Sequence, residues 1–319
     1  MALLNEYSTI EEKKNFFTNG DIKVIINIEG IFEKLDYFES LGEWIFRGSP
    51  EAKYKLYNTA QRTFIYSELF LQALKKDYNS LYDQWIEQFI DDCKKWNSGT
   101  VVNLLLSSKI REDNSLAYLS YMQHYGVPTP LLDFTRNPYI ALFFAIDAIS
   151  CLPSNNEIDN YFSIYYTNMY NSAFQGWNYV FKKNITDLKR GVISYHDISK
   201  NKLQLLLPDN EIYKLFNNSN IINQQGLFFY NNNPFKPFEE SYLEFIKNVK
   251  EMQGQKKYEV NPLEEEFAYC INIHKSLIPY INNKLESKGI TREFIYPDPY
   301  KIKEYAMQNS FAKTIRIKK

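Results

Sequence analysis

The stretch that most constrains the fold is VPTPLLDFTRNPYIALFFA, residues 127–145. Its two closely spaced prolines exclude a helix at the start, so VPTPLLDFT is predicted to be extended or turn-like. Asn137 and Pro138 then favour a helix start, with the asparagine as N-cap and the proline at the first helical position. The centre of this helix is apolar on all sides, which predicts that it is buried.

Apolar alternation predicts strands in DIKVII, EWIFRG, YFSIYYTNM, IINQQGLFFYN and EEEFAYCINIH. Helical periodicity appears after Gly30, from Ser49-Pro50 to about Lys76, in SLYDQWIEQFIDDCKKW, in NSLAYLSYMQHYG and in KSLIPYINNKLESKG. Gly126 and Gly289 are predicted to close the last two of these helices. No internal repeat is visible. The pattern predicts an α+β fold with a mixed or antiparallel sheet.

We expect a single domain over residues 1–319. It has a helical insert at about 50–125, a sheet-rich second half at about 126–300, and a C-terminal helix with a basic tail at 301–319. Residues from about 171 to 216 give no clear assignment, because the stretch is irregular and rich in asparagine in places.

The composition excludes several classes of protein. The net charge is −1 and no large basic cluster is present, so a long nucleic acid is not an expected partner. No run approaches the length of a membrane span, the N-terminus does not have the pattern of a secretory signal, and the three cysteines show no paired spacing. We therefore expect a cytoplasmic protein without a structural metal. Aromatic residues make up 17% of the chain, so its pockets should be lined by rings.

A cluster of polar residues lies within an otherwise apolar stretch just before the buried helix. It consists of Gln123, His124, Tyr125, Asp133 and Thr135. One interpretation is that Asp133 or Thr135 caps the helix and that His124 satisfies a hydrogen bond in the core. The other is a ligand site, because backbone N–H groups at a helix start suit an anion.

Arg47 ends an aromatic-rich strand and is followed by Gly48. It either forms a surface or buried structural ion pair or donates to a phosphate or carboxylate, which arginine binds through two parallel hydrogen bonds. The glycine would let a ligand approach the backbone.

The motifs of the common nucleotide-binding and hydrolase sites are absent, and the three histidines lack the spacing of metal ligands. Glu264 and Glu266 lie two apart and share one face of a predicted strand. They are either a solvated acidic edge or a source of a catalytic carboxylate.

Four stretches together resemble the FRG domain family, named for its Phe-Arg-Gly signature. WIFRG with YKLYNTAQR resembles the first block of the family, and QHYGVPTPLLDFTRNPYIALFFA resembles its most specific block. NIINQQGLFFY and LESKGITREFIYPDP resemble the third block and the closing region. The resemblance spans about residues 20–300. Pro130, Phe134 and Asn220 depart from the family pattern, which usually has Arg, Trp and Arg there, so two cations are missing.

The same layout is similar to that of the ADP-ribosyltransferases. This resemblance implies that Arg47 fixes the dinucleotide NAD and that Thr135 braces the pocket. A carboxylate on a late strand should orient the nucleophile, but Gln224 stands there, and an amide cannot act as a general base. Glu264 or Glu266 would replace it. Gly48, Gln123, His124, Tyr125 and Asp133 would then contact the ligand.

The resemblances imply binding of NAD or a related nucleotide without a metal, and transfer of ADP-ribose to a macromolecular acceptor. In bacteria or phage, that activity would fit a toxin or a defence effector. The alternative hypothesis is a non-catalytic module that binds a nucleotide or a protein partner. A nuclease is the weakest hypothesis, because no set of metal-binding carboxylates is apparent.

Overall fold

A computed structural model of the chain describes residues 4–17, 23–25, 29–67, 78–147, 149, 153–171, 174, 179, 182–183, 185, 190–200, 202–207, 213–252 and 268–297. Within these ranges, no helix combines the length and the apolar character needed to cross a membrane.

The described strands form one seven-stranded sheet in the order β1-β7-β4-β2-β3-β6-β5. They are β1 (Lys23–Ile25), β2 (Trp44–Ser49), β3 (Leu131–Thr135), β4 (Tyr161–Asn168), β5 (Leu203–Leu206), β6 (Gly226–Asn231) and β7 (Tyr269–His274). β1 pairs with β7 in parallel, and all other neighbours in this sheet are antiparallel. The prediction of helices combined with a mixed or antiparallel sheet is confirmed.

The helices lie between and after these strands. They are α1 (Glu29–Leu41), α2 (Thr59–Tyr66), α3 (Tyr78–Lys95), α4 (Thr100–Ser107), α5 (Ser115–His124), α6 (Pro138–Ile146), α7 (Tyr195–Ser199), α8 (Ser219–Asn223), α9 (Phe238–Met252), α10 (Ile278–Ser287) and α11 (Arg292–Ile295). The predicted cap of α6 is confirmed, because the Asn137 side chain accepts hydrogen bonds from the backbone N–H groups of Tyr139 (2.9 Å) and Ile140 (3.3 Å). Gly126 and Gly289 follow α5 and α10 with left-handed φ angles of 75° and 72°.

Side chains alternate between the two faces of the sheet, and each face has its own cover. One face carries Ile45, Phe134 and Phe229, which pack with Phe238 and other residues of α9. On the other face, α1, α6 and α10 cover β2, β4 and β7, whereas α3, α4 and α5 pack against β3, β5 and β6. Two groups of helices therefore meet over the middle of the sheet.

The sheet is nearly divided at this middle position. β2 and β3 share a single residue pair, Phe46 opposite Thr135. By contrast, β2 pairs with β4 from Trp44 to Ser49, and β3 pairs with β6 along its whole length. Beyond Phe46 the two halves separate, and Arg47 and Gly48 stand at the opening. We call this opening the split.

The helix predicted to begin after Ser49-Pro50 begins later, at Thr59. Asn58 accepts a hydrogen bond from the backbone N–H of Gln61 (2.8 Å), and the Gln61 side chain accepts one from the backbone N–H of Asn58 (2.9 Å). This reciprocal capping box fixes the start of the helix more firmly than the earlier proline does. Residues 68–77, where the predicted helix would continue, lie outside the described ranges.

The strand predicted over IINQQGLFFYN is shorter than expected. Ser219–Asn223 form α8, which Asn218 caps by accepting from the N–H of Ile221 (3.2 Å). Gln224 lies at the C-terminal end of this helix, Gln225 has a left-handed φ of 47°, and the strand begins only at Gly226. The placement of Gln224 on a strand was therefore wrong. Local capping by asparagine competes with the extended conformation here.

Candidate functional site

A pocket of about 390 Å³ lies at the split. It is lined by parts of β2, β3, β6, α5, α6 and α8 and by the segment after α11. The lining contains five aromatic rings, which are Phe46, Phe134, Phe144, Phe228 and Tyr296. Polar groups lie among these rings, an arrangement typical of a small-molecule site.

Arg47 crosses the split. Its Nη1 donates to the backbone carbonyl of Asp133 on β3 (2.6 Å), which joins the two halves of the sheet beyond their single residue pair. The side chain keeps partial solvent exposure, but its Nε is buried and has no hydrogen-bond partner. Burial lowers the pKa of Arg47, and the nearby Asp133 carboxylate opposes this shift. The guanidinium is thus a cation with unused donors at the pocket wall.

Asp133 points into the same pocket from β3. Its Oδ2 accepts from Nε2 of Gln123 (2.7 Å), and the Oε1 of Gln123 accepts from the Thr129 hydroxyl. Gln123 is therefore held at both ends and fixes the orientation of the carboxylate. Among the described residues that line the pocket, Asp133 supplies the carboxylate.

His124, at the end of α5, also lines the pocket. Its Nε2 is buried without a hydrogen-bond partner, and the ring meets Phe228 edge to face at 6.2 Å. Burial lowers the pKa of His124, and the Asp133 charge opposes the shift. The imidazole of His124 is therefore neutral at neutral pH. The interpretation of His124 as a satisfied core histidine is not supported at Nε2.

Thr135 and Gln224 form one structural unit at the floor of the pocket. The Thr135 hydroxyl donates to the backbone carbonyl of Gln224 (2.6 Å) and accepts from the N–H of Asn137 (3.0 Å). The Gln224 amide donates to the carbonyl of Ile295 (3.2 Å). Thr135 thus joins β3 both to the start of α6 and to the end of α8, which is a bracing geometry.

Gly48 lines the pocket, but the reason for a glycine here is the close packing of a helix against it. A Cβ there would lie 2.0 Å from the carbonyl oxygen of Ala141 and 2.6 Å from the backbone nitrogen of Ala145. Helix α6 therefore occupies the space on that side of the strand. The contact between Gly48 and a ligand stays a prediction, and only the backbone of Gly48 would make it.

Tyr125 is the predicted residue that the structure describes away from the pocket. Tyr125 is 64% exposed and packs its ring on Tyr121, with centroids 4.7 Å apart. Glu264 and Glu266 lie outside the described residues, so their predicted role stays untested. Seven of the predicted residues line one pocket, namely Arg47, Gly48, Gln123, His124, Asp133, Thr135 and Gln224.

Sequence reasoning missed several members of the lining, namely Phe144, Phe228, Tyr296 and Asn220. Asn220 was noted only because it departs from the FRG family pattern. Its position on the wall means that the arginine usual in the family pattern would add a second cation to the lining that contains Arg47. Phe134 also lines the pocket, so the exchange of Trp for Phe alters its wall.

Comparison with known proteins assigns part of the chain to a family. Residues 42–151 match the family model of the FRG domain, and this range contains Arg47, Gln123, His124, Asp133 and Thr135. The chain carries an FRG domain. No curated protein and no solved structure matches the chain. The FRG domain contains β2 and β3, the two strands at the split, whereas β4, β6 and β7 follow it in the chain. Among the described residues, no group of three or more His, Cys, Asp or Glu side chains is arranged to hold a metal ion.

Proposed function

We propose that the pocket at the split binds NAD or a related nucleotide and that the protein transfers ADP-ribose to a macromolecular acceptor. The observation that carries this proposal is the Arg47 guanidinium, which has a buried, unpartnered Nε and lies in an aromatic-lined pocket. Arginine binds phosphate oxygens through paired hydrogen bonds, and aromatic rings bind bases through stacking. This combination suits a nucleotide better than a simple carboxylate ligand.

The chemical step breaks the bond between the anomeric carbon of the ribose and the nicotinamide nitrogen. Nicotinamide leaves with the bonding electron pair and becomes neutral, which leaves positive charge on the sugar. A nucleophilic oxygen or nitrogen of the acceptor forms the new bond to the anomeric carbon and loses its proton. A carboxylate beside the ribose stabilises the charge on the sugar and accepts this proton.

We assign that role to Asp133, because it is the carboxylate of the described lining and Gln123 holds it in place. Thr135 braces the floor of the pocket, and Gln224 completes that floor through its carbonyl. His124 offers its free Nε2 for a hydrogen bond to the ligand. In bacteria or phage, this activity would fit a toxin or a defence effector.

The first experiment is to incubate the purified protein with NAD and cell extract, and to follow nicotinamide release and covalent label. Covalent label that disappears in Arg47→Ala would support the proposal, whereas nicotinamide release without label would identify an NAD hydrolase instead. If the wild-type protein gives neither, and NAD causes no shift in thermal unfolding, the proposal fails.

Asp133→Asn separates binding from chemistry. The amide oxygen still accepts from Gln123, but the amide can neither accept a proton nor neutralise a cationic sugar. We expect NAD affinity within a few-fold of wild type and turnover lowered by about 100-fold or more. Titration calorimetry and nicotinamide release measure the two effects. Turnover equal to wild type would remove Asp133 from the mechanism.

Asn220→Arg is expected to raise the affinity for NAD by roughly 5- to 10-fold, because a second cation would then face the phosphates beside Arg47. The matched control is Asn103→Arg, since Asn103 is exposed on α4 and does not line the pocket. Both variants gain one positive charge. Equal affinities for NAD in the two variants would contradict the placement of phosphate at this wall.

A non-catalytic nucleotide sensor is the second candidate, and one observation favours it. Gln224, which the transferase resemblance puts in the place of the carboxylate, lies at the end of α8 and not on a strand, and its amide donates to the carbonyl of Ile295. Specific NAD binding without turnover in any extract fraction would select this function over the transferase.

A further inference from the structure

A second pocket of about 460 Å³ adjoins the first. Its wall comes from the N-terminal segment at residues 4–6, the end of β2, and the stretch that leads into α2. Arg47, Gly48 and Pro50 line both pockets, so the two cavities meet at the split. The proposed function uses only the first of them.

The second pocket has more cations than carboxylates in its lining, where Glu6 is the carboxylate and pairs with Lys53 at 3.9 Å. Arg62 lies on its wall and donates through Nη1 to the carbonyl of Tyr57 (2.7 Å), and the rest of its guanidinium has no ion pair among the described residues. Partial desolvation at the wall and the charge of Arg47 both lower the pKa of Arg62, and Asp133 and Tyr54 oppose this shift. Two cations thus face one space. Lys55 is less available, because Glu240 pairs with it at 2.7 Å.

Tyrosine rings form the other part of this wall. Tyr54 and Tyr66 are 42% and 48% exposed, and Tyr57 lies between them in the sequence. The Tyr66 hydroxyl accepts a bond from the N–H of Leu4 at 3.4 Å, and its ring remains open to solvent. Cations beside accessible rings are the groups that bind the phosphate and the base of a nucleotide.

We infer that the ligand is a dinucleotide whose two ring-bearing ends occupy the two pockets, with its phosphates held between Arg47 and Arg62. This inference rests on the proposed function and specifies its substrate class. Because Arg47 is shared, phosphates bound there would have one arm on each side of the split. Each pocket is large enough for one nucleotide half, since small-molecule sites range over roughly 300–1,000 Å³.

The test measures binding of three probes by titration calorimetry, namely NAD, AMP and nicotinamide mononucleotide. The variants are Arg62→Gln and Tyr66→Ala, and the matched control is Arg111→Gln. Arg111 lies exposed in an ion pair with Asp113 and lines neither pocket. Thermal unfolding checks that each variant folds.

Wild type should bind NAD at least about 100-fold more tightly than either mononucleotide, because the joined halves bind together. Arg62→Gln should weaken NAD binding about 10-fold or more through the loss of a charged donor, and Tyr66→Ala about 5-fold or more through the loss of stacking. Only one of the two mononucleotides should lose affinity in these variants. The control should match wild type.

NAD binding unchanged in both variants, or NAD no tighter than a mononucleotide, would overturn the dinucleotide inference and leave the first pocket as a nucleotide site. Absence of binding by all three probes in wild type would overturn the proposed function as well. Should Arg62→Gln fail to fold, Tyr66→Ala carries the test, since its exposed ring lies at the end of α2.

Discussion

Arg47→Ala is expected to lower the affinity for NAD by about 100-fold or more. The substitution removes the unpartnered Nε, the remaining guanidinium donors and the charge from a partly desolvated wall. Hydrogen bonds from a charged donor to phosphate are among the strongest in proteins, and arginine makes two in parallel. Titration calorimetry measures the loss, and nicotinamide release should fall below detection at the same NAD concentration.

Arg47→Lys tests whether charge or geometry matters. Lysine keeps the charge but lacks the planar fork, so we expect affinity between those of wild type and the alanine variant. Arg111→Ala is the control for loss of an arginine, because it breaks only an exposed ion pair. An alanine variant that binds NAD like wild type would show that Arg47 serves only to join β2 to the carbonyl of Asp133.

The stability of Arg47→Ala separates these two roles further. Loss of the bond to the Asp133 carbonyl should cost about 1 kcal/mol of unfolding free energy. That cost is too small to unfold a domain of ordinary stability, so the variant remains folded while binding is lost. Unfolding of the variant at room temperature would mean that the split depends on Arg47 for its structure.

Local sequence patterns predicted much of the fold. The cap formed by Asn137 and Pro138 follows from residues within one turn of a helix, as do the ends of α5 and α10 at glycine. The capping box of Asn58 and Gln61 was equally visible in the sequence, since an asparagine followed three residues later by a glutamine favours a helix start. The Ser49-Pro50 pair predicts a start for α2 that is too early, since the helix begins at Thr59.

The split could not be predicted, because it depends on which strands pair and for how long. β2 and β3 are about 80 residues apart in the chain, and they share the single pair of Phe46 and Thr135, a long-range contact that local sequence patterns do not specify. The position of Gln224 depended on a short helix with weak periodicity. The second pocket was also missed, since Arg62 of YKLYNTAQR and Arg47 come to line one cavity only in the folded chain.

Gly48→Ala is expected to destabilise the protein by at least about 3 kcal/mol and to lower its melting temperature by roughly 5 °C or more. The added Cβ would overlap backbone atoms of Ala141 and Ala145, and backbone cannot rotate away as a side chain can. Helix α6 would have to move off β2, although Tyr139–Phe143 and Ala145 are almost completely buried. Calorimetric melting measures the change.

Gly30→Ala provides the matched control, because Gly30 lies in α1 and a Cβ there would meet nothing within 4 Å. Alanine in a helix should leave stability unchanged or raise it by up to about 1 kcal/mol. A Gly48→Ala protein that melts like wild type would contradict the close contact of α6 with β2. Where that contact holds, a displaced α6 also moves Phe144 and changes the shape of the pocket that Arg47 lines, so NAD binding should weaken together with stability. The glycine of the Phe-Arg-Gly signature then acts on the ligand through the helix that it admits.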